Sequence, residues 1–185
     1  MTLPAKDVAS LLPLIGPNRK VLPLLSTGFP WNPYHVDMAP RMVKWEILES
    51  IASGAKGFGF WGCCPIDAKE MQEISEAIRQ LYPLQDIIQK GHPINSIEDL
   101  THSVFVKGVE YENNALILVS EYSKKGKRGN IKYNVESEMS VIDLPSGNVV
   151  SRISPGNSNF HVELDEHRAR LFAIRPIIVP PSGEN

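Results

Sequence analysis

Between Ser53 and Asp67 the chain reads SGAKGFGFWGCCPID, which brings an indole, two adjacent thiols and a carboxylate close together. Cys63 and Cys64 are the only two cysteines. Neighbouring cysteines can form only a strained vicinal disulfide, and two thiols without a nearby third ligand make a poor zinc site. They read as a pair of reduced thiols. Asp67 follows an apolar run, as a catalytic carboxylate would, but Glu70 three residues later completes a capping box that accounts for it structurally. A second stretch, STGFPWNPYHVDMAP, holds His35, a general acid or base only beside a partner that tunes its pKa. His92, His102, His161 and His167 are scattered without metal-ligand spacing, so neither a metal site nor a cofactor is expected. Lys124-Lys125-Gly126-Lys127-Arg128 has the charge of a phosphate site, but its place between strands, with Gly126 and Gly129, reads as a solvated hairpin tip.

These groups belong to a chain of 185 residues, enough for one domain or two small ones, with 42% hydrophobic residues. A net charge of −2 gives no drive toward nucleic acid or an anionic membrane surface. No apolar run approaches the ~20 residues that span a bilayer. The amino terminus, MTLPAKDVASLLPLIGPNRK, lacks the basic start and cleavage site of a signal peptide, and no compartment follows.

Residues 1–91 alternate helical patterns with short apolar runs. Val8, Leu11, Leu12 and Ile15 fall on one face of a helix over residues 2–15, stopped by Gly16-Pro17-Asn18. Val21-Leu22-Pro23-Leu24-Leu25 is almost wholly apolar and suits a strand buried on both faces. Spacing predicts a second helix from Pro40 to Ser53, with Gly54 as a left-handed carboxyl cap. A strand from Gly57 to Trp61 follows. Asp67 then opens a helix with Met71, Ile74, Ile78 and Leu81 at helical intervals, and a shorter helix runs from Pro83 to Gly91. Helix, strand, helix, strand, helix implies parallel strands, and two parallel strands need partners on their faces and edges.

From about residue 101 the pattern changes to short strands and turns. Candidates are 104–109, 115–120, 131–135, 139–144, 149–153, 160–164 and 169–174, separated by Asn-, Gly- and Pro-rich turns. Strands at this spacing suggest a small antiparallel β-sandwich.

The order of these parts, with MVKWEILESIASGAKGFGFWGCCPIDAKEMQEISEAIRQL, LQDIIQKGHPI, ALILVSEY and VIDLPSGNVV, resembles the carboxyl-terminal end of a retaining-type (β/α)8-barrel glycoside hydrolase followed by its terminal β-sandwich. The resemblance implies an α/β plus all-β fold: a partial barrel segment at 1–91, a linker at 92–100, a sandwich at 101–178 and a frayed tail at 179–185. Val21 to Ser26 becomes the seventh barrel strand and Gly57 to Trp61 the eighth. Strands one to six lie outside this sequence.

Glycoside hydrolysis needs two carboxyl groups about 5–9.5 Å apart. In the clan resembled, the acid/base comes from the fourth strand and the nucleophilic glutamate from the end of the seventh. Here that end reads Leu25-Ser26-Thr27-Gly28, so the catalytic residues stay unassigned. By resemblance Trp61 is an apolar platform for a sugar ring, before a cis peptide to Gly62, or else a plug in the barrel mouth. Trp31, Tyr34 and His35 could line a sugar site, with Asp37 as a polar contact. Alternatively these aromatics pack their own loop and Asp37 helps cap a helix. Three readings remain open. The chain is part of a hydrolase active only in a complete barrel, a non-catalytic carbohydrate-binding or interaction module, or a subunit that completes a barrel with a second chain.

Overall fold

A computed structural model describes residues 3–15, 19–26, 39–61, 66–121, 128–164 and 169–177. The first part contains helix α1 (Leu3–Ile15), strand β1 (Leu24–Ser26), α2 (Ala39–Ala52), β2 (Gly59–Trp61), α3 (Ala68–Leu81), a 3₁₀ turn (Tyr82–Leu84) and α4 (Gln85–Lys90). Strands β1 and β2 pair in parallel, Leu24 opposite Gly59 and Ser26 opposite Trp61. A parallel pair needs a crossover, and α2 supplies it.

The run from Val21 to Leu25 is buried through one face only. Leu25 is enclosed by the helices, whereas Leu22 and Leu24 are 60% and 61% exposed. The alternating glycines Gly57 and Gly59, before and at the start of β2, now have a reason. A Cβ on Gly57 would come within 3.1 Å of a Leu22 methyl, and one on Gly59 within 3.0 Å of a Leu24 methyl. Missing side chains on β2 leave room for the leucines of β1.

Asp67 caps α3 with the expected box: the Glu70 N–H donates to its carboxylate at 2.8 Å, and its own N–H points to the Glu70 carboxylate at 3.4 Å. The buried stripe of α3 is Glu70, Ile74, Ala77 and Leu81. Met71 and Ile78, expected on the inner face, are exposed. Helical spacing finds the stripe only to within one position, and packing on α2 selects which edge is covered. On α1 Ala5 and Val8 are buried, while Leu11 is exposed. Gly54 takes the left-handed conformation at the end of α2, with φ of 105°.

The second part holds nine strands: β3 (His92–Pro93), β4 (Glu98–Asp99), β5 (Phe105–Tyr111), β6 (Asn114–Ser120), β7 (Arg128–Lys132), β8 (Met139–Asp143), β9 (Val149–Ile153), β10 (Asn159–Glu163) and β11 (Ala169–Pro176). They form a six-stranded antiparallel sheet, order β3-β5-β6-β11-β8-β9, and a three-stranded one, order β10-β7-β4. The stretch 92–100, expected as a linker, contributes a short strand to each sheet.

The layers follow from alternation along the two central strands. Leu116 and Leu118 of β6, with Leu171 and Ala173 of β11, face the helices in one core. Ala115, Ile117 and Val119, with Phe172 and Ile174, face Ile131, Phe160 and Val162 of the smaller sheet in a second core. A strand covered on both faces reads as an unbroken apolar run, and ALILV at 115–119 is that run. The molecule is thus three-layered: helices, large sheet, small sheet.

Gly91 sits where α4 meets β5. A Cβ there would collide with the Ile87 carbonyl and stand 2.7 Å from the Glu110 carbonyl, both backbone atoms that cannot swing aside. Gly91→Ala is expected to cost about 2–4 kcal/mol in chemical denaturation, as an overpacked site with no flexible neighbour. A change below about 1 kcal/mol would show that α4 and β5 separate freely.

Candidate functional site

The carboxyl ends of parallel strands are where an α/β sheet presents chemistry. In β1 and β2 these ends are Ser26 and Trp61, level with each other in the register. Neither is a carboxylate. The backbone of Trp61 closes β2, but its indole lies outside the described structure, as do Gly62, Trp31, Tyr34, His35 and Asp37. The residues expected to line a sugar site are therefore placed only through the strand ends that lead into them. Asp67 is committed to its cap.

Among the described residues the charged groups gather elsewhere. A cleft of about 410 Å³ separates α2 and α3 from the turn after β8 and the start of β11; its walls include Lys44, Trp45, Glu73, Glu76, Arg79 and Arg170. Lys44 donates to Glu76 at 2.6 Å and stands 3.8 Å from Glu73. The hydrogen bond from Lys44 holds the Glu76 carboxyl below the ordinary range. Arg170 grips the fully buried Asp143 through Nε at 3.1 Å and Nη2 at 2.9 Å. Asp143 also accepts from the Ser146 hydroxyl at 2.6 Å. These charges are matched within the protein, and the cleft reads as a polar seam between helices and sheet.

Two further polar nodes join layers. The Tyr133 hydroxyl donates to Glu110 at 2.8 Å, and the other oxygen of Glu110 lies 3.4 Å from His92 Nε2. Burial and the neighbouring Glu110 raise the Tyr133 phenol, keeping it a neutral donor. Lys56 donates to the Gly91 carbonyl, and the Gln89 amide donates to the Lys56 carbonyl at 2.7 Å. Burial, then repulsion from Lys20, lowers the Lys56 amine.

Along α2 runs a buried polar strip that sequence reading missed. Glu49 accepts from the Ser120 hydroxyl of β6 at 3.0 Å, and beside it Glu46, Ser50 and Ser53 turn inward. Burial, and secondarily Glu49, push the Glu46 carboxyl up to about 7. The available signal was ESIAS, two serines and a glutamate set among Ile51 and Ala52 at the end of the helix. Among the described residues no three His, Cys, Asp or Glu side chains converge as a metal site, and no helix is long and apolar enough to cross a membrane.

No protein-family model matches the chain, and no curated protein matches it. Solved structures do. The fold resembles the α-fucosidase of Thermotoga maritima with a TM-score of 0.52 and 11% identity, covering 86% of this chain and 41% of that one. It resembles a GH30 endoxylanase of Clostridium papyrosolvens with a TM-score of 0.51 and 14% identity, covering 84% and 42%. A GH27 β-L-arabinopyranosidase of Geobacillus stearothermophilus gives a TM-score of 0.50 and 14% identity, covering 75% and 31%. This chain therefore spans between 31% and 42% of the length of these glycosidases. At such identities the likeness is one of fold: mixed helix and antiparallel sheet, arranged as in part of a glycoside hydrolase.

Proposed function

We propose that this chain forms the carboxyl-terminal part of a glycoside hydrolase-like (β/α)8 barrel, its last two strands at residues 1–91 and a terminal sandwich at 101–178, and that it serves hydrolysis of O-glycosidic bonds only within a complete barrel. The observation that carries this reading is the β1–β2 pair: two parallel strands, crossed over by α2, with Leu25 buried on the helices and Leu22 and Leu24 open on the other face. Parallel strands are ordinarily covered on both faces and paired at both edges, and a closed barrel does both. The likeness to glycosidase folds supports the same assignment.

On this reading the strand ends at Ser26 and Trp61 open toward the substrate. Trp61 then offers its face to a sugar ring, and Trp31, Tyr34, His35 and Asp37 border the approach. Stacking of a pyranose on an indole orients the sugar through its apolar C–H face. The acid and nucleophile or base must come from other strands, because β1 and β2 end without carboxylates. The 185-residue chain alone is accordingly expected to leave aryl glycosides intact.

The test is turnover of an aryl-glycoside panel by the pure chain, with sugar binding followed by calorimetry. A second arm adds any polypeptide encoded immediately upstream, fused or separate. Turnover that appears only with six further strand–helix units supports the proposal. Turnover by the chain alone, abolished by one carboxylate substitution, overturns it. Sugar binding without turnover in either arm would replace it with a non-catalytic binding module. Activity restored by a separate upstream polypeptide would make the chain a subunit of a split barrel.

A further inference from the structure

The helices that accompany the parallel strands are not covered alike. Helix α2, in the middle, touches both α1 and α3; it buries Val43, Trp45, Ile47, Leu48 and Ile51 and leaves Met42 open near its start. The helices on either side of it carry bare apolar side chains. On α1 these are Leu11 and Leu14. On α3 Met71 and Ile78 are 52% and 46% exposed, and Tyr82, just past its end, is 68% exposed.

The bare side chains of α3 form a line. Met71, Ser75, Ile78 and Tyr82 succeed one another at intervals of four, three and four residues, which sets them along one edge of the helix. The buried stripe of Glu70, Ile74, Ala77 and Leu81 runs beside that line. Beyond the stripe lie Glu73 and Glu76, where Lys44 of α2 reaches them at 3.8 and 2.6 Å. The line therefore faces away from α2. Apolar residues scattered singly on a surface need no explanation, whereas three on one helix edge, with only a serine among them, mark a contact surface.

Strand β2 is open on the same side. It pairs with β1 through one edge, and among the described residues nothing pairs with the other. Because α2 crosses from β1 to β2, the direction that leads from β1 to β2 also leads from α2 to α3. One further strand–helix unit arriving from that side would pair the edge of β2 and cover the line on α3 together. Glycosidases of similar fold continue well beyond the part that this chain covers, so a unit of this kind has a source.

We infer that this edge of α3 is a docking surface, and that its occupant is the amphipathic helix of the strand–helix unit that lies next to β2 around a complete barrel. Ile78 sits near the centre of the contact, Met71 and Tyr82 lie toward its ends, and the small Ser75 leaves room for a side chain of the arriving helix. The inference rests on the barrel reading and adds to it the surface through which the helical wall continues.

The experiment adds Ile78→Glu to the upstream-polypeptide arm of the turnover test, with Gln85→Glu as control. Gln85 is exposed on α4 and takes the same change of charge. In the 185-residue chain alone, urea denaturation should give unfolding constants within about threefold of wild type for both variants, because the side chain at 78 already meets water. With the upstream polypeptide, Ile78→Glu should weaken assembly about tenfold or more, or raise the unfolding constant of a fused chain by as much, because an apolar contact is lost and a charge is placed in it. Gln85→Glu should assemble as wild type does. Equal assembly of wild type and Ile78→Glu would overturn the inference and leave the barrel reading intact. Absence of any upstream polypeptide that the wild-type chain joins would remove both. A large loss of stability in Ile78→Glu alone would show that this chain already covers the edge itself. Sedimentation of the pure chain as a dimer that Ile78→Glu dissociates would give the surface to a second copy. Either of these last two results rejects the proposed occupant.

Discussion

Residues 1–91 expressed without the rest of the chain are expected to give no cooperative melting transition and to aggregate. The cause is the shared core. Ile47, Leu48, Ile74, Leu84 and Ile87 of the helical layer are buried in one cluster with Val109, Leu116, Leu118, Leu171 and Ala173 of the large sheet. Cutting after residue 91 bares both sides of that cluster. Each large aliphatic side chain returned to water costs about 1.5–3 kcal/mol, and a few of them exceed the 5–15 kcal/mol that holds a typical domain together. The tie from Ser120 to Glu49 is lost by the same cut. Far-UV circular dichroism with a thermal scan checks this, alongside the reciprocal fragment 92–185. A soluble 1–91 fragment with a sharp transition would mean that the helices possess a core of their own.

Replacing Asp99 by alanine should be the most damaging single change in the smaller sheet, costing about 3–5 kcal/mol and, at roughly 2–4 °C per kcal/mol, lowering Tm by about 10 °C or more. This nearly buried carboxylate accepts from the backbone N–H groups of Thr101 at 3.1 Å, Ser103 at 2.7 Å, Val104 at 3.0 Å and Asn130 at 2.8 Å, and from the Thr101 hydroxyl at 2.8 Å. It thereby fixes the loop from β4 to β5 onto β7. Asp99→Asn keeps the size but turns one acceptor into a donor facing donors, and should lose nearly as much. Burial by itself would raise this carboxyl, yet the amides of Asn130, Thr101 and Val104 outweigh it and lower the pKa below its ordinary 3.8. The associated stability is present above about pH 4 and is lost as pH falls through the depressed folded value. An unfolding free energy within about 1 kcal/mol of wild type for Asp99→Ala would exclude the hub.

Local signals in the sequence were reliable where the controlling physics was local. The Asp67–Glu70 capping box, the left-handed Gly54 and strand β9 at 149–153 lie where the residues indicated. Helix α2 and strands β5 to β11 fall within a few residues of their expected spans. Signals that depended on a distant partner were less complete. The Met71–Ile78 edge and the pair Leu22 and Leu24 are apolar but open, because the sequence of an element does not say how many neighbours cover it. β4 was invisible in a linker-like stretch, although Asp99, Thr101 and Ser103 carried the hydrogen-bonding pattern of a turn built on a carboxylate.

The candidate site divides the same way. Order and composition located two strand ends, and the structure sets Ser26 and Trp61 side by side across a parallel pair. Resemblance, rather than spacing, supplied the sugar-binding roles. The sequence by itself determined the elements: amphipathic helices, glycine-bearing β2, short strands and their turns, all governed by periodicity and backbone preference. Tertiary structure alone decided that the central strands β6 and β11 are covered on both faces, so that helices and sheets share them. It also decided that Glu49 of α2 is buried against Ser120 and that Asp99 gathers four backbone amides. Both outcomes depend on atoms brought together from distant parts of the chain, and desolvation and hydrogen-bond geometry exist only once that has happened.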